Sequence, residues 1–297
     1  MRFDLHTLRL FVSTVDAANI AAAARKHAIA ASAVSKRITD MEAGLGTALL
    51  YRRPRGVEPT PAGTALALHA RKLLALLDRM ESELSEFADG AKGHVRIAAN
   101  TSAVTQFLPD EMAAFMRDNP DVRVELIEDR SEALLQMVRD GLADVAIFSG
   151  TIEAGDLVVL PYRADVLTVI TPPGHVLADR EEVSFIETLA FDHVGLQHGT
   201  SLLTQLQAEA DDLDRELRLR VQVASFDGLR RMVAAGLGIG ILPDGAVRPY
   251  LDGSLIAVPL SDPWAGRRLN LAVRDAAALT KTAKAMVTHL TSDRNGA

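Results

Sequence analysis

Residues Ile20–Arg37 read IAAAARKHAIAASAVSKR and decide the fold of the N-terminal part of the chain. The stretch predicts two short helices joined by a tight turn. Val34, Ile38 and Met41 recur in the second helix at the spacing of one buried face. The opposite face is small and polar, and it presents Ser32, Lys36 and Thr39, with Ser35 at its margin. Such a pair is typical of a helix-turn-helix whose second helix enters the major groove of DNA. Ala-rich helices followed by Ser, Lys and Arg also occur in ordinary globular proteins, so the pattern alone leaves both interpretations open.

The composition limits the class of protein. A chain of 297 residues with 48% hydrophobic residues is long enough for two or three domains with sizeable cores. It contains no cysteine, which excludes a disulfide framework and thiolate metal sites and fits a reducing compartment. Asp4, Arg9 and Asp16 interrupt any apolar run of a signal peptide, and no uncharged stretch is long enough for a bilayer. We therefore expect a cytoplasmic protein without a membrane segment.

The charge is distributed unevenly along the chain. The net charge is −7, yet residues 1–60 hold nine Lys or Arg and five Asp or Glu, a net of +4. The remainder carries −11. A cationic N-terminal end beside an acidic body favours nucleic-acid binding by that end alone.

The residues around the central stretch complete a small domain. Asp4 and Asn19 are expected to cap the first and second helices, and the third is expected to end near Gly44 and Gly46. Three arginines then surround a Pro/Gly turn in residues 51–56, which predicts a wing lying along a phosphate backbone. A solvated charged turn is the alternative.

Residues from Pro61 onward predict a long helix. Apolar residues follow one another at alternating intervals of four and three, the spacing of a coiled-coil seam. They are Leu66, Ala70, Leu73, Leu77, Met80, Leu84 and Phe87. A helix of about 22 residues, roughly 33 Å long, cannot bury such a seam by itself. We therefore predict a partner helix from a second subunit, although packing on the same chain is the alternative. Gly90 and Gly93 are expected to end the helix as a hinge.

Helix and strand patterns alternate in the rest of the chain, which predicts parallel sheets with crossover helices. The expected strands are 95–98, 122–127, 144–148, 166–171, 192–196, 219–224, 239–242 and 269–273. The expected helices are 103–117, 132–140, 202–210, 228–235 and 279–290. We predict two α/β lobes, with the last strand and helix returning to the first lobe.

A cleft between two such lobes is the natural ligand site, because strand ends and helix N-termini face it. Hydroxyl-bearing turns at these positions favour an anion, so we predict a small carboxylate-bearing effector. The residues expected to hold it are Thr101, Ser102, Thr200 and Ser201, with Ser131 and Phe226 as walls and Ser149, Thr151 and His198 as further candidates. Each Ser or Thr could instead be a plain N-cap, and His198 could be an ordinary loop residue.

Catalytic and cofactor motifs are missing from the sequence. Gly236–Gly240 carries three glycines but ends a predicted helix and begins a strand, the reverse of a dinucleotide fingerprint. The chain has no G-x-S-x-G elbow, H-E-x-x-H helix or Walker loop, and its eight histidines lack ligand spacing. We therefore expect no enzyme activity, metal or cofactor. A ligand-responsive DNA-binding regulator is the first hypothesis; a transport solute-binding protein and an α/β enzyme with a helical accessory domain are the alternatives.

The N-terminal motifs resemble those of the LysR-type transcriptional regulators. The matching residues, in order and without a gap, are Leu8–Val12, Ala23, Ala24, Ser32–Lys36, Ile38, Met41, Glu42, Leu45, Gly46, Leu49, Arg52, Arg55, Gly56, Thr60, Ala62 and Gly63. Chain length and domain order match as well, so the resemblance covers the whole chain.

The resemblance implies an α+β multidomain fold in three parts. They are a winged helix-turn-helix in residues 1–62, a linker and dimerisation helix in 63–90, and a two-lobed α/β effector domain of the periplasmic-binding-protein type in 91–297. Lobe I is expected at about 91–163 and 266–297, and lobe II at about 164–265. The expected DNA contacts are Ser32, Ser35, Lys36, Arg37, Arg52, Arg53, Arg55 and Thr60, and the expected dimer contacts are Leu66, Leu73, Leu77, Met80 and Leu84. Promoter DNA, a small effector, RNA polymerase and further copies of the chain, as a homodimer and homotetramer, are the implied partners.

Four positions depart from the family pattern. Glu58 places an acid in the wing, and Leu50 replaces the usual phenylalanine. Ala31 stands where the family usually has a glutamine that reads a base, and the loss of one bidentate contact removes about 1–3 kcal/mol of discrimination. His27 stands where a core leucine is usual, and we interpret it as a hydrogen-bonded or half-exposed core histidine.

Overall fold

The computed structural model describes residues 3–54, 56–85, 93–150 and 152–292. The chain divides into two compact units, Met1–Ala88 and Asp89–Ala297. Arg55 and Thr151, which the sequence analysis assigned to binding sites, and the predicted seam and hinge residues Phe87 and Gly90 lie outside the described residues.

The first unit consists of short helices, a hairpin and one long helix. Its elements are α1 (Leu5–Asp16), α2 (Ile20–Lys26), α3 (Ala31–Leu45), β1 (Leu50–Arg53), β2 (Gly56–Pro59) and α4 (Pro61–Ser85). The two predicted caps are confirmed, because Asp4 Oδ1 accepts the Thr7 amide at 2.8 Å and Asn19 Oδ1 accepts the Ala22 amide at 3.0 Å. Helix α3 ends at Gly46, whose φ of +68° is the left-handed conformation of a helix C-cap.

A single core holds these elements together. Phe11, Val34, Ile38 and Leu49 are fully buried, and Ala67 and Ala70 of α4 pack against the same cluster. The residues predicted as a wing loop form an antiparallel hairpin in which β1 pairs with β2. The hairpin is therefore more regular than the sequence indicated.

The second unit contains two α/β lobes, as predicted. Lobe I holds β3 (His94–Ala99), α5 (Thr101–Gln106), α6 (Leu108–Asp118), β4 (Arg123–Glu128), α7 (Ser131–Arg139), β5 (Val145–Ser149) and, after two crossings, α11 (Lys281–Thr291). Lobe II holds α8 (Phe185–Thr188), β7 (His193–Leu196), α9 (Ser201–Asp212), β8 (Leu219–Val223), α10 (Phe226–Ala234), β9 (Gly240–Pro243) and β10 (Ile256–Pro259). The strands β6 (Val158–Thr171) and β11 (Gly266–Val273) belong to both lobes.

The two shared strands form the connection between the lobes. Strand β11 pairs with β5 in lobe I and with β6 along its length, whereas the C-terminal half of β6 pairs with β9 and β10 in lobe II. In lobe I, β3 lies between β4 and β5 and is parallel to both. In lobe II, β7 and β8 form a parallel pair. Each lobe has its own buried core.

Three predictions about this unit were wrong in detail. The large sheet is mixed and not parallel, because β11 pairs antiparallel with β5 and β6, and β6 pairs antiparallel with β9 and β10. The strand expected at 166–171 begins at Val158 and runs through Pro161, which lies at an irregularity of the β6–β11 ladder where a missing N–H is tolerated. The helix expected at 103–117 starts at Thr101 and is broken into α5 and α6 at Phe107. The sequence analysis also missed α8 and β10. Among the described residues, no helix combines the length and apolar character that crossing a bilayer requires.

Candidate functional site

The exposed face of α3 carries the side chains predicted to read DNA. Ser32 and Lys36 are exposed, whereas Val34 and Ile38 face the core. Ala30, the residue at the N-cap of α3, supplies no side-chain hydrogen bond. The first amides of α3 therefore have no side-chain cap, which leaves them able to meet a phosphate oxygen.

Arg52 joins the wing to α3. Its Nη1 donates to Ser35 Oγ and its Nη2 to Thr39 Oγ1, both at 2.8 Å. The guanidinium thereby fixes the hairpin against α3. It also uses the hydroxyl of the half-buried Ser35 as a hydrogen-bond acceptor. The sequence analysis assigned Ser35 and Arg52 to direct DNA contacts and missed this bridge between them.

The remaining predicted DNA contacts have different surroundings. Arg53 is exposed and forms an ion pair with Glu58 at 3.4 Å. The exposed Arg37 donates to Thr7 Oγ1 at 3.3 Å on α1. Thr60 is buried; its hydroxyl donates to the Ala48 carbonyl oxygen at 2.8 Å and accepts the Gly63 amide. Thr60 is the N-cap of α4, so its hydroxyl is already hydrogen-bonded within the fold, which disfavours the DNA contact predicted for it.

His27 is half-buried, as expected of a core histidine. Its Nε2 lies 2.7 Å from Ser13 Oγ. Desolvation, and then the nearby charge of Lys26, lower the pKa of His27 below its ordinary value. The neutral form is therefore favoured, and the ring fills the place of an apolar side chain.

Helix α4 has an apolar surface beyond the part that packs on the core. Leu73, Met80 and Leu84 of the predicted seam are exposed, with Leu84 at 67%, and Leu66 and Leu77 are half-buried. Leu68 and Leu76, which the seam did not include, are also exposed, at 40% and 54%. The exposed apolar surface of α4 therefore includes three residues of the predicted seam and extends to Leu68 and Leu76, whereas Ala70 of the seam packs on the core.

A cleft of about 390 Å³ lies between the two lobes of the second unit. It is formed where β3 and β4 of lobe I and β7 and β8 of lobe II end. The predicted residues that line it are Thr101, Ser102, Ser131, Thr200, Ser201 and Phe226. His198 is exposed and does not line the cleft, and Ser149 lies behind it.

Most hydroxyl groups of the cleft already have partners. Thr101 Oγ1 donates to Glu128 Oε1 at 2.5 Å, and Thr200 caps α9 by accepting the Leu203 amide. Ser149 Oγ accepts from Asn100 Nδ2 at 2.8 Å and lies 2.9 Å from Ser201 Oγ, which links the two lobes. Thr200 is therefore the N-cap of α9 and also lines the cleft.

A buried ion pair lies behind the cleft. Arg267 and Asp165 face each other on β11 and β6, and their side chains are 5% and 2% exposed. Arg267 Nε donates to Asp165 Oδ1 at 2.8 Å, and its Nη2 donates to Ser102 Oγ at 3.3 Å. The strands that connect the lobes are thus in hydrogen-bond contact with a residue of the cleft wall.

Three charged residues of the cleft were missed. Glu128, Asp129 and Arg130 line it at the end of β4 and the entry to α7. The sequence analysis named Ser131 at this strand–helix junction but not the residues just before it. The same rule about strand ends facing a cleft could have found them.

Comparison with known proteins agrees with this architecture. The family described as "LysR substrate binding domain" matches residues 88–294, and "Bacterial regulatory helix-turn-helix protein, lysR family" matches residues 5–64. The chain is 27% identical over 273 residues to a "Probable hydrogen peroxide-inducible genes activator" of Mycobacterium avium, covering 90% of this chain and 86% of that protein. It is 25% identical over 251 residues to the "HTH-type transcriptional regulator CysL" of Bacillus subtilis, covering 84% and 83%.

Solved structures share the fold over nearly the whole chain. Full-length CbnR, crystallised with its target DNA, superposes with a TM-score of 0.76 at 18% identity and covers 97% of this chain and 99% of that one. A C206 mutant of Corynebacterium glutamicum OxyR gives a TM-score of 0.63 at 26% identity and covers 97% and 90%. Since the match to the substrate binding domain alone spans more than half of the chain, the protein belongs to the LysR family of bacterial transcriptional regulators.

Proposed function

We propose that this LysR-type regulator reads promoter DNA with α3 and holds the phosphate backbone with its wing. The exposed Ser32 and Lys36 on α3 support base-edge contact by that helix, and this surface is the observation that carries the proposal. Arg53 and the exposed Arg37 are proposed as phosphate contacts. Arg52 acts mainly by fixing the wing against α3, because both of its terminal nitrogens are already bound to hydroxyl groups. Arg55 stays a proposed contact from the sequence alone.

We also propose that α4 pairs with the α4 of a second subunit. Five apolar side chains on this helix are between 40% and 67% exposed in the single chain, and a partner helix would remove them from water. They are Leu68, Leu73, Leu76, Met80 and Leu84. The family resemblance supports a tetramer built from two such dimers and an encounter with RNA polymerase at the promoter. The sequence-based boundaries at residues 62 and 90 stay proposals for where the DNA-binding, linker and effector parts meet.

The interlobe cleft is proposed as the effector site, with a small carboxylate-bearing metabolite as its ligand. Its size lies within the range of small-molecule pockets. Binding would change the equilibrium between lobe arrangements and, through the oligomer, the spacing of the α3 helices on DNA. Residues 1–297 contain no thiol, so the signal is not read by cysteine oxidation within them.

Variants of α3 and the wing test the division of labour on DNA. We expect Lys36→Ala to weaken promoter binding and to relax sequence preference, because a base-edge contact is lost. We expect Arg53→Ala to weaken specific and random duplexes about equally and to lower the slope of log affinity against log salt by about 1. Fluorescence anisotropy at several salt concentrations measures both. The reverse pattern, or salt-independent binding by the unaltered protein, would contradict the proposal.

Denaturation with and without metabolites tests the effector site. A carboxylate that binds the cleft raises the melting temperature by mass action. A Ser102→Ala, Thr200→Val double variant, which removes two hydroxyls of the cleft wall, should reduce that shift. Val34, far from the cleft in sequence and buried in the other unit, offers a Val34→Ala variant that lowers stability without altering ligand binding. An equal ligand affinity in the Ser102/Thr200 variant and the unaltered protein would reject the assignment of these two residues.

A further inference from the structure

Glu128 and Arg130 bring opposite charges to the same side of the cleft. Strand β4 ends at Glu128, and Arg130 keeps an extended backbone with φ −75° and ψ 151°. Side chains two residues apart on an extended segment point to the same side. Both residues line the cleft.

The two charges are not neutralised by each other. Glu128 accepts the Thr101 hydroxyl through Oε1. Within the described parts of the chain, the Arg130 guanidinium makes no hydrogen bond or ion pair. It lies instead over Gly199 of lobe II: a Cβ built on Gly199 would overlap Arg130 Nη1 and come within 2.8 Å of its Cδ. The Arg130 side chain therefore crosses from lobe I to lobe II with its charge still available to a ligand.

A buried hydroxyl without a partner lies next to this cation. Ser131 is 1% exposed and lines the cleft, yet its Oγ has no hydrogen-bond partner among the described residues. Ser131 is also the first residue of α7, whose N-cap, Arg130, supplies no side-chain hydrogen bond. An unpaired hydroxyl, an uncapped helix N-terminus and a guanidinium are together the surroundings that a carboxylate prefers.

The two acidic residues of the cleft, Glu128 and Asp129, favour a ligand that also carries a cationic group. Asp129 Oδ1 accepts the Arg130 amide, so one of its oxygens is used by the backbone. Glu128 and Asp129 still outnumber Arg130 among the charged side chains that line the cleft. Glu128, Asp129 and Arg130 are all exposed. A ligand that carried only negative charge would be repelled by two carboxylates and attracted by one guanidinium. A ligand with a neighbouring cation would satisfy both ends of the site.

We propose that the cleft selects a zwitterion of the α-amino-acid class, with its carboxylate between Arg130 and Ser131 and its ammonium group against Glu128. This inference rests on the proposed use of the cleft as the effector site. The apolar side chains of Leu196, Leu202 and Phe226 line the same space and would contact the ligand's side chain. Arg130 then has two roles, because it binds the ligand's charge and joins lobe I to lobe II.

Matched ligand pairs test the proposal on the full-length protein. The probes are the common L-amino acids, the 2-hydroxy acids of the same carbon skeletons and the corresponding amino-acid amides, screened by thermal shift and then by calorimetry. We expect at least one amino acid to bind, and its hydroxy acid and its amide each to bind at least about tenfold more weakly, since each lacks one charged group. Arg130→Gln and Glu128→Gln should each cause a loss of similar size.

Two charge variants outside the cleft serve as controls. Glu132→Gln, one residue beyond Ser131, and Arg117→Gln on α6 remove exposed charges that do not line the cleft. We expect them to leave ligand affinity within twofold. Melting temperatures without ligand show whether each variant is folded.

The outcomes separate this inference from the proposed function. If a hydroxy acid binds as tightly as its amino acid and Glu128→Gln has no effect, the zwitterion is wrong while a carboxylate effector stands. If no carboxylate of either series binds, both the effector site and the zwitterion are rejected. Equal losses in Glu132→Gln and Glu128→Gln would also overturn the proposal, because the effect would then be general electrostatics.

Discussion

Gly63→Ala is expected to destabilise the N-terminal unit by about 3 kcal/mol or more, at or beyond the upper end of overpacking costs in cores. A Cβ on Gly63 would overlap the Leu49 carbonyl oxygen and lie 3.0 Å from its carbonyl carbon. These are backbone atoms and cannot rotate away. The Leu49 oxygen also accepts the Thr60 amide at 2.9 Å, and the Gly63 amide donates to Thr60 Oγ1 at 3.0 Å. The first turn of α4 and the start of the wing would have to separate, so DNA binding should be lost with the fold.

Gly44→Ala makes the same substitution where there is room. Gly44 lies within α3, and a Cβ there would meet nothing within 4 Å. Alanine in a helix is favoured over glycine by about 0.5–1 kcal/mol, so this variant should be slightly more stable than the unaltered protein. Hydrogen exchange of the amides of α1–α3, measured by mass spectrometry with urea, reports on this unit separately from the rest of the chain. Equal protection in the two variants would show that the close approach of Gly63 to Leu49 does not hold in solution.

Helical periodicity and capping residues carried most of the fold prediction for the first unit. Asp4 and Asn19 were found because short polar side chains before an apolar period have a specific chemical role, which is to accept the first free amides. The turn before α3 was predicted, but the residues that take the left-handed conformation after α1 and before α3 had no such signal. Ala18 and Ala28 have φ values of +48° and +54°, although the left-handed region usually calls for glycine or asparagine. Alanine does not favour the left-handed region, so the sequence does not show which residue of each turn adopts it.

The cleft was predicted in position but only partly in chemistry. Hydroxyl-bearing residues at strand ends were recognisable one by one, whereas their partners are set by contacts between lobes that are distant in sequence. Ser149 and Ser201 are an example, because they are 52 residues apart in sequence, belong to different lobes and are in contact in the folded structure. Charged residues near the cleft, such as Arg130, resemble solvated surface residues in sequence. Only the structure reveals that its side chain lies over Gly199.

Buried charge was the feature that sequence reasoning could least detect. Arg267 precedes the predicted strand 269–273, and arginine is rarely buried, so the sequence favours an exposed position. The structure extends that strand to Gly266 and pairs Arg267 with Asp165, more than one hundred residues earlier. Neither residue gives a local sign of its partner.

Arg267→Met should therefore destabilise the second unit by about 3–5 kcal/mol, the usual cost of leaving one partner of a buried ion pair alone. Asp165 would keep a negative charge in a space where its side chain is 2% exposed, with Gln106 Nε2 at 3.0 Å as a remaining donor. Ser102 would lose its contact with Arg267 Nη2 at the same time. Urea unfolding monitored by circular dichroism measures the change.

A surface pair supplies the matched control. Arg231 and Asp227 form an ion pair on α10 at 2.9 Å, with side chains 80% and 59% exposed. Arg231→Met should change the free energy of unfolding by less than about 1 kcal/mol, because water already solvates both charges. If Arg267→Met costs no more than Arg231→Met, the buried pair does not stabilise the strands that connect the lobes.

The double variant Arg267→Met, Asp165→Leu shows why Arg267→Met is destabilising. It distinguishes the loss of the attraction between the two charges from the cost of leaving the Asp165 carboxylate buried and unpaired. Removing both charges also removes the carboxylate that the single variant leaves unpaired, so most of the lost stability should return. The strands β6 and β11 would then be held by their ladder and by apolar contacts alone. If the ion pair also fixes the angle between the lobes, the double variant should fold well yet bind a cleft ligand with altered affinity. The free energy of unfolding would then be close to that of the unaltered protein while the ligand affinity differs. A role of Arg267 in stability alone would leave the ligand affinity unchanged.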